Sequence, residues 1–415
     1  MNLERAARKI TYTLLTVQSL GSVATISMAT IAAIVGAELS GRVDLAGLPG
    51  MVVQLGVAFS ALLWSFLSDR WGRRLGLGFG VVTGALGAFI AVTAVLQGSF
   101  LFLLVGLLVT ASARAAFNLG RFAAAEVNPP FRRGRAVAIV VLGGTAGSVL
   151  GPLFVDGSST VARNLGVNAL AGPYALVCLL FVIAAIILFV FLTPDPKELG
   201  EEVTRQYPQP DVDEGRSRPL GQLFLEPPII AAIVSMVLAY AVMVLLMGIT
   251  SLHMMQNAHT LRAVSFVFSA HTLGMFAFSI LTGWLIDHWG RIPIILSGAV
   301  MLIAACLGSP LSTAFWPLAA GLFFLGLGWN FCYVGGSTLL ADYLSPLEKA
   351  RTQGINDWLV GLASAAASGS SGFLLKGIGY DGMGLLGASL ASLLLLVVLW
   401  YIWSSRRGQT LPAQT

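Results

Sequence analysis

Ser65-Phe66-Leu67-Ser68-Asp69-Arg70-Trp71-Gly72-Arg73-Arg74 closes one long apolar run and opens the next. Glycine permits a tight reversal there, and the charges mark a boundary between an apolar medium and water. Gly283-Trp284-Leu285-Ile286-Asp287-His288-Trp289-Gly290-Arg291 repeats the pattern, with Asp287 lying 218 residues after Asp69. Leu55-Gly56 returns as Leu273-Gly274 at the same shift. Farther along, Glu126, Pro130 and Arg135 return as Asp342, Pro346 and Arg351, a shift of 216 residues. A register kept over such distances indicates an internal duplication and predicts two halves built alike.

Outward from these loops the chain reads as a membrane protein. Of its 415 residues, 56% are hydrophobic and 10% charged, more apolar surface than a soluble domain needs. Runs long enough to span a bilayer, about 20 residues each, fall at 10–37, 46–68, 75–96, 100–124, 136–156, 171–193, 228–251, 262–286, 292–309, 315–341, 353–376 and 383–404. The predicted fold is therefore all-α and integral to the membrane, with twelve transmembrane helices in two pseudo-symmetric six-helix bundles. Residues 1–193 form the N-terminal bundle, 194–226 a charged, partly mobile cytoplasmic linker, 227–404 the C-terminal bundle and 405–415 a cytoplasmic tail. Lys and Arg crowd the N-terminus, the linker, the tail and one set of loops; the other set holds only Arg42, Arg163, Arg262 and Lys376. Both termini are accordingly expected in the cytoplasm.

The first run is too long for a removed signal peptide and lacks a small-residue cleavage site. Cys178, Cys306 and Cys332 fall inside predicted spans without close-spaced pairing, so no disulfide framework is expected. Basic residues dispersed over short loops predict no nucleic-acid partner. Neither a phosphate-binding loop nor a nucleophile–base pattern is present, which argues against an ATP-driven pump and against an enzyme. The expectation is a monomer in the lipid bilayer of a bacterial inner membrane, without a resident cofactor.

The Asp-Arg-x-Gly-Arg-Arg loop and its degenerate partner resemble the signature of the major facilitator superfamily, and the resemblance covers the whole chain. It implies secondary transport by alternating access, with cytoplasmic charge clusters latching the bundles in one state. Carried over by position, the latch comprises Asp69, Arg70, Arg73, Glu126 and Arg135 with Asp287, Arg291, Asp342 and Arg351. Ser65 stands where the family usually has glycine. Gly143-Gly144-Thr145-Ala146-Gly147-Ser148-Val149-Leu150-Gly151-Pro152 in the fifth span resembles a motif of drug/proton antiporters, although glycines at this spacing also simply allow close helix packing.

Met243-x-x-x-Met247 in the seventh span and His271-x-x-x-Met275 in the eighth put soft ligands at helical spacing inside the membrane. Thioether and imidazole suit Cu(I), while methionine is also a common gap-filler in apolar cores. Counting outward from Asn257, Met243 and His271 are each 14 residues away, Met247 is 10 and Met275 is 18. The result is a staircase about 12 Å tall, suited to stepwise handover of an ion. His253, Met254, Met255 and His259 would form an outer capture group. The paired motifs resemble those of CcoA-like copper importers, which implies Met243, Met247, His271 and Met275 as copper-binding residues. Riboflavin importers resemble the same subfamily.

Arg114 in mid-span, with Asp357 or Glu38 as an ion partner, suits an anionic or hydrogen-bonding organic cargo instead. Gln18, Gln54, Asn118, Trp329 and Asn330 either line a cavity or join helices by hydrogen bonds. The reading at this stage is copper import. The alternatives are an importer of riboflavin or another small organic molecule, a proton-coupled drug exporter, or a membrane scaffold without transport.

Overall fold

The computed structural model describes residues 3–207 and 218–409, and every regular element within them is helical. The spans are α1 (Leu3–Ser40), α2 (Leu48–Trp71), α3 (Arg73–Gln97), α4 (Phe100–Glu126), α5 (Arg133–Leu150), α6 (Ala171–Phe191), α7 (Pro227–Gln256), α8 (Leu261–Phe276), α9 (Arg291–Gly308) and α10 (Phe315–Tyr343). A final run, Pro346–Gln409, is broken at Gly379, where φ is 69°, into α11 (346–378) and α12 (380–409). Twelve spans are thus present, as the apolar runs predict. Two of them are interrupted: α5 continues past Pro152 as Leu153–Asn164, and α8 continues past Phe278 as Ser279–Trp289.

Both signature loops turn on a glycine with positive φ, 94° at Gly72 and 87° at Gly290. The surroundings differ. A Cβ at Gly72 would lie 2.5 Å from Asp195 Oδ2, whereas one at Gly290 would meet nothing nearer than Pro293 Cδ at 3.9 Å.

In lipid there is no hydrophobic drive between spans, so close backbone approach and van der Waals contact must hold the bundle. Small residues supply it. Gly84 and Gly87 of α3 abut Ala113 and Thr110 of α4, and Gly143, Gly147 and Gly151 abut Leu15, Ser19 and Val23 of α1. Ser27 Oγ of α1 donates to the Gly151 carbonyl at 2.6 Å. The glycine face of the fifth span is therefore occupied by α1. Phe59, Leu62 and Phe66 leave α2 strongly apolar on its outside, as a lipid-facing helix requires.

The chain divides into two compact units, Met1–Val212 with Ala258–Ser269, and Asp213–Asn257 with Ala270–Thr415. The sequence places 258–269 with the second half, yet Leu261 packs on the apolar core of the first. The linker is also more ordered at its ends than its composition suggests. Helix Pro196–Gln206 is capped by Asp195, and Gly200 lies against the backbone of Glu126. The middle of the expected linker, 208–217, and the tail from 410 lie outside the described residues.

Candidate functional site

The signature-loop ends of the two units carry equivalent ion pairs. Arg73 grips Glu126 with both edges of its guanidinium, Nη2 to Oε1 at 2.6 Å and Nε to Oε2 at 3.0 Å, and also reaches Asp69 at 2.6 Å. Arg291 reaches Asp342 through Nε at 2.7 Å and Nη2 at 3.5 Å. These are the positions that the duplicated register aligns. Arg351 instead donates to the Arg218 carbonyl at 2.8 Å. Arg70, Arg135 and Asp287 are exposed and form no ion pair among the described residues.

Sequence reasoning missed the braces around these pairs. The Asp195 carboxylate accepts the N–H groups of Arg73 and Arg74 at 3.0 Å each, capping α3 from the linker, and Lys197 Nζ reaches the Asp69 carbonyl at 2.8 Å. An Asp directly before a Pro that opens a helix was the readable sign. In the second unit Arg218 bridges Glu226 at 2.6 Å and Glu348 at 2.8 Å. Glu348 is 2% exposed. The Arg218 guanidinium, hydrogen-bonded to its carboxylate, holds Glu348 well below the usual carboxylate range, with burial opposing and the Ser345 and Arg218 backbone N–H groups assisting. The same bond raises Arg218 above its ordinary value.

Met243, Met247, His271 and Met275 all lie in the second unit and are buried. His271, 1% exposed, is held by α10: its Nδ1 donates to the Leu322 carbonyl at 2.8 Å. In the neutral ring this bond fixes the tautomer, with the proton on Nδ1 and the lone pair on Nε2. That Nε2 has no hydrogen-bond partner among the described residues. Close approach is permitted by Gly326, which abuts the His271 backbone, and by Gly274, which abuts the Phe323 carbonyl.

Beside these residues stands an aromatic cluster built from three helices. Trp329 of α10 meets Tyr240 of α7 edge-on at 5.7 Å and Phe276 of α8 at 6.0 Å, and stacks on Tyr333 at 5.0 Å. Tyr240 shares a face of α7 with Met243 and Met247, at i, i+3 and i+7, while Phe276 directly follows Met275. The Trp329 indole Nε1 is buried without a partner among the described residues. The site therefore combines π faces, an unpaired N–H donor, an imidazole lone pair and thioethers.

Asn330 is a staple. Its amide donates to the Met275 carbonyl at 2.6 Å and to Ser279 Oγ at 2.9 Å, and its oxygen accepts from Thr282 Oγ1 at 2.5 Å. The interruption of α8 leaves the Met275 carbonyl without its helical partner, and Asn330 takes that place.

The four residues of the expected outer capture group differ in their surroundings. Met254 is fully buried. His253 stacks on Tyr380 at 4.1 Å, and Tyr380 bonds Thr250 at 2.9 Å. Met255 is exposed and His259 half-buried.

In the first unit Arg114 Nη1 donates to Gln54 Oε1 at 3.2 Å. Glu38, one expected partner of Arg114, instead accepts from Asn168 at 3.3 Å. Asp357 is exposed on α11 in the second unit.

The model of the Major Facilitator Superfamily matches residues 13–252 and 232–415. The chain is 34% identical over 378 residues to the uncharacterized MFS-type transporter YdeG of Bacillus subtilis, covering 89% of this chain and 86% of that one. It is 28% identical over 379 residues to the riboflavin transporter RfnT of Brucella anthropi, covering 91% of each. Among solved structures, an inward-facing, unoccupied bacterial homologue of the human lysosomal transporter Spinster aligns with a TM-score of 0.73 at 15% identity over 97% of both chains. A peptide transporter POT bound to sulfate aligns with a TM-score of 0.67 at 13% identity over 98% of both. These last two likenesses bear on the fold alone.

Proposed function

The chain belongs to the Major Facilitator Superfamily, is a multi-pass membrane transporter and not an enzyme, and from that premise we propose that it imports a planar aromatic heterocycle of the riboflavin kind. The observation carrying this reading is the cluster of Tyr240, Phe276, Trp329 and Tyr333 around an unpaired indole N–H. Stacking holds a flat ring without regard to its substituents, and a buried donor gains a partner when a ring carbonyl arrives. Similarity to a riboflavin transporter over nearly the full length of both chains supports the same cargo class. The protein works as a monomer in a bacterial inner membrane with both termini cytoplasmic, by alternating access coupled to an ion and without a resident cofactor.

Copper is the second reading, favoured by the oriented His271 Nε2 lone pair one helical turn from Met275. The geometry brings His271 to α10 and not, by any described hydrogen bond, to the methionines of α7.

Uptake of labelled riboflavin and of mass-tagged copper, measured in one strain, separates the two. Trp329→Ala should reduce riboflavin uptake about tenfold or more, since stacking a base on an aromatic ring is worth about 1–3 kcal/mol. His271→Ala should leave copper accumulation unchanged. Copper uptake that depends on His271 and ignores Trp329 would reverse the order of the readings.

A further inference from the structure

α4 carries a stripe that hydrocarbon would reject. Arg114, Asn118 and Arg121 recur at i, i+4 and i+7, which places them along one face of the helix. Asn118 and Arg121 are exposed and Arg114 is half-buried, near the middle of Phe100–Glu126. Leu101, Val105 and Leu108, also exposed, lie on another face and are apolar. A guanidinium at mid-membrane depth is costly unless water or an opposite charge meets it. The polar stripe therefore faces water, and the apolar one faces lipid.

Among the described residues neither arginine has a counter-charge. Arg114 has one hydrogen bond among the described residues, to the neutral Gln54 amide at 3.2 Å, and Arg121 lies over the Phe122 ring at 4.9 Å. No carboxylate of the described residues is within ion-pair distance of either. Four acids of the first unit are engaged elsewhere: Asp69 and Glu126 by Arg73, Asp44 by Arg42 and Glu38 by Asn168. Gln54 pins Nη1 and leaves further N–H groups of the planar fork, a shape that matches a carboxylate or phosphate with two parallel hydrogen bonds. Arg121, about 10 Å along the same face, adds positive potential that draws anions toward the stripe.

We propose that Arg114, oriented by Gln54, binds a carboxylate or phosphate carried by the transported molecule, so that the chain prefers an anionic member of its substrate class to the neutral analogue. The choice of flavins as probes rests on the aromatic-heterocycle reading; the anion site itself does not.

The test is equilibrium binding to the purified full-length chain at low salt, comparing riboflavin with its monophosphate. The monophosphate should bind about tenfold tighter to the wild type, the scale of a hydrogen-bonded charge pair. Arg114→Gln should bring the two affinities together while thermal melting stays in place. Arg114→Lys should recover only part of the preference, because it restores charge without the fork. If Arg114→Gln does not fold, Arg114→Lys and Gln54→Ala carry the comparison, both with a reduced preference. Equal affinities in the wild type, or a preference that survives these substitutions, overturns the proposal. If neither flavin binds, phenyl phosphate and benzoate are compared with benzyl alcohol as thermal stabilisers. Stabilisation by the anions alone, lost in Arg114→Gln, keeps the anion site and removes the flavin reading. No difference among them removes both.

Discussion

Arg114 and Asn330 occupy the same seat in the two halves, related by the 216-residue shift that also carries Glu126 onto Asp342. At the signature-loop ends the halves agree: Arg73 meets Glu126 as Arg291 meets Asp342. In the middle they part. Asn330, 1% exposed, spends its amide on the broken helix α8, while Arg114 is half-buried and, among the described residues, reaches one neutral side chain of the unbroken α2. The lesson is that the ends answer to the scaffold, whose Arg–acid pair recurs at the signature loop of each half. The middles are free to diverge: an unbroken span satisfies its own backbone, whereas the interrupted α8 draws on Asn330 for the Met275 carbonyl.

The sharpest way to break this comparison is to truncate both seats. Asn330→Ala leaves the buried Met275 carbonyl without its partner and should cost about 1–3 kcal/mol of stability, read as a lower melting temperature in detergent. Arg114→Ala should melt close to wild type. Equal losses would mean that both seats are structural.

The two signature glycines come next. Alanine at either position faces a left-handed backbone, a strain of about 1–2 kcal/mol. Gly72→Ala should lose more than Gly290→Ala, because its Cβ would press on the Asp195 carboxylate. Matching losses would show that Asp195 yields freely.

The smallest effect concerns pH. Glu348 in the second half corresponds to Arg132 in the first, where the ion pair with Glu4 is largely exposed. Because Glu348 is held below its unfolded value, the stability it contributes is complete above the unfolded carboxylate pKa of about 4.3. That contribution fades as pH falls below that point toward the folded value. Melting profiles from pH 6 downward should flatten in Glu348→Gln and stay as steep as wild type in Glu4→Gln.

Much of this architecture was readable in advance, and the reasons are local. Twelve spans follow from apolar run length, and the Arg–acid pairs lie where Arg73 and Glu126 return in register as Arg291 and Asp342. The interruption of α8 was not readable, since Ala277-Phe278 contains neither Gly nor Pro and the amide that satisfies the freed carbonyl lies 52 residues on from Phe278. The aromatic cluster was hidden for a similar reason: its rings come from three helices, and only Trp329 stood out as a polar residue in a span.

The capping of α3 by Asp195 has a consequence for the order in which the molecule is made. The first turn of α3 takes its hydrogen-bond acceptor from a residue 122 positions after Arg73. A ribosome supplies that residue only after the sixth span has been synthesised. Until then the Arg73–Arg74 amides must be satisfied by water or headgroups, so this rim of the first bundle is the last part of it to be finished, and the linker is what finishes it.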